Sequence, residues 1–219
     1  MKPTILTLAI CITAPLVSSA AVIISEVHSS GSDAAYEADW FELTNTSVSD
    51  INIAGWKVDD SSNSFASSAA LQGVTLITPG QSVIFAEVGG TRTAEGVMNS
   101  FKAAWFGAAV PSTFVMGTYS GAALGLSGTN GDAINIFNST GLIQAQVTFG
   151  AATVGRSFDN AAGTTGAIST LSTAGVNGAF TSVTGNEIGS PGAIPEPSTA
   201  LVFLSGMAML GLRRQRRAA

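Results

Sequence analysis

The sequence predicts an all-β sandwich with one short helix, and three observations support this prediction. Short segments of alternating apolar and polar residues recur through the middle of the chain, as they do in half-buried strands. Turn signals such as Pro79-Gly80, "GTNGD" and "NSTG" separate these segments. Roughly seven short strands at intervals of about 8–12 residues are typical of a sandwich of the immunoglobulin type.

The expected strands follow one another between Val22 and Gly150. In "DWFELTN", Phe41 and Leu43 share one face of the strand and are expected to point into the core, whereas Trp40, Glu42 and Thr44 share the other. In chain order, the predicted strand segments are "VIISEVH", "DWFELTN", "INIAGWKVDD", "LQGVTLI", "PGQSVIFAE", "GLS", "DAINIFN" and "GLIQAQVTFG".

One stretch, "AEGVMNSFKAAWFG" from Ala94 to Gly107, has helical rather than strand periodicity. Val97, Phe101 and Trp105 recur every four residues, so they can line one face of a helix. We expect this helix to close one end of the sandwich.

The stretch from Ala161 to Ser182 differs in composition from the rest of the domain. It is rich in Gly, Ala, Ser and Thr and almost free of charge. Such a composition is typical of a flexible linker. A poorly marked last strand around Ala179–Val183 is an equally good interpretation, and the sequence leaves both open.

The N-terminus has the pattern of a secretory signal peptide over residues 1–20. Lys2 precedes an apolar run from Ile5 to Val17, and Ser18 and Ala20 occupy the positions that signal peptidase requires. A transmembrane helix is the alternative, but the run is shorter than the roughly 17–25 residues of a span. The only cysteine, Cys11, lies within the predicted signal, so a mature chain would have no disulfide and no cysteine metal site.

Charge is distributed unevenly along the chain. The whole sequence carries a net charge of −5, but residues 21–193 contain thirteen acids and only four basic residues, which gives that span a net charge of −9. A domain this acidic is a poor partner for phosphate backbones, so we expect no nucleic-acid binding. The balance suits a domain that faces the extracellular medium.

The candidate chemistry is sparse, because His28 is the only histidine and no G-x-S-x-G elbow occurs. We expect His28 to be a surface or turn residue at a strand end. The "DDSSNS" segment at Asp59–Ser64 imitates the start of a calcium loop but lacks its glycine and final acid, so a plain turn is expected. No catalytic residue and no cofactor is expected.

The densest acidic set has three possible interpretations. The favoured one is a solvated loop between two strands with strand-end hydrogen bonds. The others are contacts to Ca²⁺ or another ligand, which carboxylate oxygens suit, and a carboxylate pair that hydrolyses matrix polysaccharide. The five acids are Glu26, Asp33, Glu37, Asp39 and Glu42.

Several segments resemble the lamin-tail domain, an immunoglobulin-like β-sandwich with exported bacterial members. The most specific segment is Asp39–Asn45 followed by Gly55-Trp56. Beside the resemblance, the residues there have structural explanations: Gly55 permits positive φ, Trp56 supplies core burial and Asn45 closes a turn. The other matching segments are "IISEVHSS", "LITPGQSVIF", "SFKAAWFG", "LGLSGTNGDAINIFNSTGLIQAQVTFG" and "IGSPGA".

The last segment, residues 194–219, resembles the Pro-Glu-Pro sorting signal of Gram-negative bacteria. The motif Pro195, Glu196, Pro197, Ser198 and Thr199 precedes an apolar run. Fifteen residues from Ser198 to Leu212 make a helix of about 22 Å, which is marginal for a hydrocarbon core of about 30 Å. The run ends in a basic cluster of Arg213, Arg214, Arg216 and Arg217.

The resemblance of the tail implies processing by a membrane protease, exosortase, and a link to exopolysaccharide or biofilm matrix. We therefore expect an exported, non-catalytic protein of the cell envelope, cell surface or extracellular matrix. Signal peptidase and exosortase would be its processing partners, and an exopolysaccharide or surface partner would follow. The inner membrane would contact residues 198–217 only before processing, with the arginines on the cytoplasmic side. A Ca²⁺- or glycan-binding module is the alternative.

Overall fold

The computed structural model of the protein describes residues 21–30, 33–121 and 124–193. Both terminal predictions, the signal peptide at 1–20 and the sorting tail at 194–219, lie outside these residues. Within the described ranges, no helix combines the length and the apolar character that crossing a membrane requires.

Short strands dominate the described part of the chain, with a single helix among them. The strands and the helix are β1 (Val22–His28), β2 (Trp40–Asn45), β3 (Ile51–Asn52), β4 (Lys57–Asp59), β5 (Ala69–Ala70), β6 (Leu76–Ile77), β7 (Ser82–Val88), α1 (Ala94–Phe106), β8 (Val115–Ser120), β9 (Asp132–Phe137), β10 (Ile143–Phe149), β11 (Phe158–Asp159), β12 (Gly166–Ile168), β13 (Phe180–Thr181) and β14 (Ile188–Gly189).

Two five-stranded sheets form the sandwich. The first sheet has the order β11-β1-β2-β7-β8 and the second the order β12-β10-β9-β4-β5. Neighbouring strands are antiparallel except for two pairs, β7 with β8 and β10 with β12. Two small strand pairs, β3 with β6 and β13 with β14, complete the described sheet structure.

The two sheets enclose a continuous apolar core, which we call the inter-sheet core. Strand alternation builds it: Phe41 and Leu43 of β2 point between the sheets, as predicted, and Ile134 and Ile136 of β9 meet them from the second sheet. Trp56 is buried in the same core. The predicted large contribution of Trp56 to burial is therefore confirmed.

A second buried layer, which we call the outer layer, covers the other face of the first sheet. The sheet contributes Trp40, Ile84, Ala86 and Met116, and α1 contributes Val97, Phe101, Ala104 and Trp105. The predicted helix is confirmed almost to its bounds, and its Thr93 N-cap accepts a hydrogen bond from Gly96 N at 3.1 Å. Its predicted place is wrong, because it packs across a sheet face rather than over one end of the sandwich.

Most predicted strand segments contain a strand, with one exception in the described residues. The "GLS" segment forms no strand, although its Leu126 and the neighbouring Leu124 are buried in the inter-sheet core. Strand β8, which the alternation of the sequence did not mark, pairs in parallel with β7.

The two interpretations of the 161–182 stretch are now distinguished. It contains β12 and β13, so it is part of the domain and not a linker. The strand expected around Ala179–Val183 is present as β13, but it is not the last one, because β14 follows it. Two turn predictions are confirmed as well: Gly55 has φ 75°, and Asn45 Oδ1 accepts a hydrogen bond from Ser47 N at 2.9 Å.

Candidate functional site

Two of the five candidate acids meet on the outer face of the first sheet. Glu26 of β1 and Glu42 of β2 are cross-strand partners, and their relative exposures are 0% and 1%. Side chains opposite each other on antiparallel strands are neighbours on the same face. The favoured expectation of a solvated acidic loop is therefore wrong for these two residues, which belong to a buried carboxyl pair.

The segment that covers this pair comprises residues 187–193, which we call the C-terminal strap. Glu26 binds it through both oxygens: Oε1 accepts a hydrogen bond from Ser190 N at 2.8 Å, and Oε2 lies 3.0 Å from Ser190 Oγ. Ser157 Oγ also donates to Glu26 Oε1. The carboxyl of Glu26 thus joins β1 to two segments that lie more than 130 residues further along the chain.

Glu42 binds the strap two residues beyond Ser190. Its Oε2 accepts a hydrogen bond from Gly192 N at 2.6 Å, and its Oε1 lies 2.6 Å from Ser25 Oγ. Ser82 Oγ of β7 then donates to Ala193 O at 2.8 Å. Three adjacent strands of the first sheet therefore bind the last residues of the domain.

Burial controls the protonation of the carboxyl pair. Desolvation raises the pKa of Glu26 to about 7, although hydrogen bonds from Ser157 and Ser190 oppose the shift. Desolvation, and then repulsion by Glu26, raises the pKa of Glu42 well above its ordinary value. The pair is therefore protonated in mildly acidic solution.

His28 lies at the start of the strap rather than on the surface, so its predicted exposed position is wrong. It is fully buried, stacks on Trp40 with ring centroids 5.5 Å apart, and places Nε2 3.5 Å from Glu187 Oε1. Desolvation lowers the pKa of His28 to about 4, so at neutral pH the imidazole is uncharged. Tyr36 donates a hydrogen bond to the same oxygen of Glu187.

The remaining three candidate acids lie apart from the carboxyl pair. Asp33 accepts hydrogen bonds from Ala35 N at 2.8 Å and from Asn186 Nδ2 at 2.9 Å, and these bonds lower its pKa. Glu37 pairs with Arg92 at 2.9 Å on the surface. The pKa of Asp39 is raised to about 7 by burial and by the charge of Glu87.

The donor groups of a metal site do not converge in the described ranges: no cluster of three or more His, Cys, Asp or Glu side chains there could hold a metal ion. Contact of these acids with Ca²⁺ stays a prediction. At "DDSSNS", Asp59 Oδ2 accepts hydrogen bonds from Ser62 Oγ and Ser64 N, both at 2.6 Å. The plain turn expected there is what the structure contains.

The fold places the chain in a structural class, the immunoglobulin-like sandwiches. It carries in addition a helix on the outer face of one sheet. The family model of the lamin tail domain matches residues 17–151. Since this match covers more than half of the sequence, the chain belongs to the lamin tail domain family. No curated protein gives a significant match to the chain.

The matched region ends just after β10, so the distant partners of the carboxyl pair lie outside it. Sequence reasoning missed these partners, namely Ser157, Ser190 and Gly192. One local signal was available: Glu42 lies between Trp40 and Thr44 on a strand face that could have been read as buried. Nothing in the local sequence indicated which segment covers that face.

Proposed function

We propose that this protein is an exported, non-catalytic component of the cell surface or extracellular matrix. The lamin tail domain would be its extracellular body, with exosortase sorting the chain at Pro195-Glu196-Pro197. Support comes from the order of the sequence features: a signal-like leader, an acidic β-sandwich, and a tail with a Pro-Glu-Pro motif, an apolar run and an arginine cluster.

One structural observation carries the non-catalytic part of the proposal. The acids best placed to act as a hydrolytic pair, Glu26 and Glu42, are both covered by the C-terminal strap and bonded to it. A glycosidase needs two carboxyls on either side of an open substrate groove. Here the two carboxyls use their oxygens to hold the end of the domain, which is a structural role.

The position of that end supports the sorting part of the proposal. Ser82 binds the carbonyl of Ala193, and the Pro-Glu-Pro motif begins two residues later in the sequence. The folded domain therefore reaches to within a few residues of the proposed processing site. A protease at the membrane would cut beside a finished domain and leave its hydrogen bonds intact.

The proposal is tested by the intact mass of the protein recovered from the envelope and medium of a cell that contains exosortase. We expect a chain that lacks residues 1–20 and the arginines of the tail. Replacing Pro195, Glu196 and Pro197 with alanine should leave the tail uncut. Val202→Leu, which keeps the apolar run, is the matched control and should be processed normally.

A mature protein that retains Arg213–Arg217 in the presence of exosortase would contradict the sorting proposal. The non-catalytic part has its own test in a screen against glycosidase substrates. Turnover that disappears in Glu42→Gln but persists in Glu95→Gln, an exposed helix acid, would contradict it.

A further inference from the structure

The C-terminal strap is attached by backbone hydrogen bonds up to Gly189 and by side chains beyond it. Its strand β14 pairs with the equally short β13, and Ile188 also bonds the segment before β11: its N–H donates to Gly155 O at 2.8 Å and its carbonyl accepts from Ser157 N at 3.2 Å. Beyond Gly189, the attachments are Ser190 to Glu26, Gly192 to Glu42 and Ala193 to Ser82. Two of these three contacts end on the buried carboxyl pair, so the closure of the strap depends on that pair.

No cation in the described residues compensates the pair. The ion pair found there is Arg92 with Glu37, and the uncharged imidazole of His28 lies near Glu187; neither contact involves Glu26 or Glu42. From β11, Asp159 adds a further negative charge that acts on Glu26. The other titratable groups near the strap are His28 and Tyr36, which contact Glu187, and Asp33, whose charge acts on Glu187. Arg156 bridges Ile188 through its backbone, but its guanidinium donates to Ser172 O and Thr173 Oγ1 rather than to the carboxyl pair.

The hydrogen bonds are compatible with protonated carboxyls. With Oε2 of Glu42 accepting from Gly192 N, a proton on Oε1 can be donated to Ser25 Oγ. With Oε1 of Glu26 accepting from Ser190 N, a proton on Oε2 can be donated to Ser190 Oγ. Ionisation of both groups would place two negative charges side by side in a dry layer, which is costly unless water enters.

We propose that the last four residues of the strap, 190–193, are pH-sensitive: they stay closed while Glu26 and Glu42 are protonated and open on ionisation of this pair, while β14 and the inter-sheet core stay folded. The raised pKa values of the two carboxyls set the direction, because rising pH ionises them. Opening admits water to both groups. The proposal does not depend on the sorting of the tail.

Opening of the strap would lengthen the connection between the folded domain and the residues that follow it. Four residues now fixed against the first sheet would become a spacer of up to about 13 Å, at roughly 3.3 Å per residue. In acidic surroundings the domain would be held close to residue 194, and in alkaline surroundings it would be held further away. The strap would thus adjust the reach of the domain to the pH of the medium.

Hydrogen exchange of the purified full chain tests this device, with rates corrected for the intrinsic pH dependence of amide exchange. The amides of Ser190 and Gly192 report on the strap, and those of β9 report on the inter-sheet core. We expect strap protection to fall about tenfold per pH unit between pH 5 and 7 for each carboxyl that ionises on opening, because opening restores an ordinary carboxyl pKa. Protection of β9 should change by less than threefold over the same range.

Two variants identify the groups responsible. Glu26→Gln and Glu42→Gln keep the shape of each side chain but cannot ionise, so each should reduce the pH dependence of strap protection, and the double variant should abolish it. Glu95→Gln is the control and should behave as the wild type does. If a variant fails to fold, the comparison of strap and β9 in the wild-type protein still decides the question.

Strap protection that is independent of pH would overturn the proposal. So would an equal loss of protection in the strap and in β9, since that result would mean unfolding of the whole domain. A pH dependence that survives in the folded double variant would also overturn it, because the carboxyl pair would then not be its cause.

Discussion

The two faces of the first sheet are both buried, but they are buried by different chemistry. The inter-sheet core is apolar apart from the buried hydroxyl of Tyr119, with Phe41, Leu43, Val83 and Phe85 facing the second sheet. The outer layer joins an aromatic cluster under α1 to a polar cluster under the C-terminal strap. The first kind of burial is insensitive to pH, whereas the second depends on it.

The difference shows that the two faces of one sheet can have separate roles. One face stabilises the domain, and the other makes that stability depend on pH. Apolar contacts between the sheets stabilise the fold by an amount that grows with the area buried. Buried carboxyls contribute according to whether they carry a charge. The inter-sheet core should therefore set how stable the domain is, and the outer layer should set how that stability changes with the medium.

The largest effect is expected in the inter-sheet core. Phe41→Ala removes a fully buried ring that contacts Phe85 and Tyr119. We expect it to lower the free energy of unfolding by about 3–5 kcal/mol, at pH 5 and pH 8 alike, because it leaves a cavity in an apolar site. Urea denaturation measures this loss. Val154→Ala, at a side chain that is 77% exposed, is the control and should change little.

The next effect is the response of the whole domain to pH. The pKa of Glu26 in the folded state is about 7 against an ordinary 4.5, so the folded protein holds a proton that the unfolded chain has lost. This stability is fully present below about pH 4.5 and is lost as the pH rises through about 7. The loss from this group is on the order of 3 kcal/mol.

Four other carboxyls shift in the same direction and one histidine opposes them. The pKa values of Asp39 and Glu187 are raised to about 7, and burial also raises those of Glu42 and Glu87. The pKa of His28 is lowered to about 4, so its effect is a loss of stability as the pH falls from about 6.5 to 4. Since the carboxyls outnumber the histidine, urea denaturation should show lower stability at pH 8 than at pH 5. An increase over that range would contradict the assignment.

A smaller effect is expected from crowding under the strap. A Cβ on Gly189 would lie 2.6 Å from Glu26 Oε1 and 3.0 Å from the Trp105 ring, which is too close for either contact. Gly189→Ala should therefore cost about 1–3 kcal/mol, as overpacking does. Gly150→Ala, where a Cβ would meet open space, is the matched control. Equal stabilities of the two variants would show that the strap packs loosely.

The smallest effect concerns the cap of the helix that covers the outer layer. Thr93→Ala removes the side-chain acceptor for Gly96 N and should cost about 1 kcal/mol, measured as a lower thermal midpoint. Thr91→Ala, two residues outside the helix, is the control. A cost no larger than that of the control would mean that the cap does not hold the helix against the sheet.

These comparisons also show how far the sequence could predict the structure. The alternation of Phe41 and Leu43 predicted the inter-sheet core, because strand periodicity is a local property. The four-residue spacing of Val97, Phe101 and Trp105 predicted α1 in the same way. Neither pattern specified which surface the helix would cover.

The carboxyl pair could not be predicted for a physical reason. Whether Glu26 and Glu42 are solvated depends on the strap, whose contacts with them are 150 or more residues distant in the chain. The strap itself is short, rich in glycine and lacks periodicity. Two-residue strands such as β13 and β14 are stabilised by these distant contacts rather than by their own propensity.

The most direct test of the contrast between the two layers is a double-mutant cycle of Glu26→Gln and Glu42→Gln, measured by urea denaturation at pH 5 and pH 8. We expect a coupling free energy above about 1 kcal/mol at pH 8, where ionising one carboxyl raises the cost of ionising its neighbour, and within about 0.5 kcal/mol of zero at pH 5. The same coupling at both pH values would contradict the account, because the outer layer would then respond to pH no more than the inter-sheet core does.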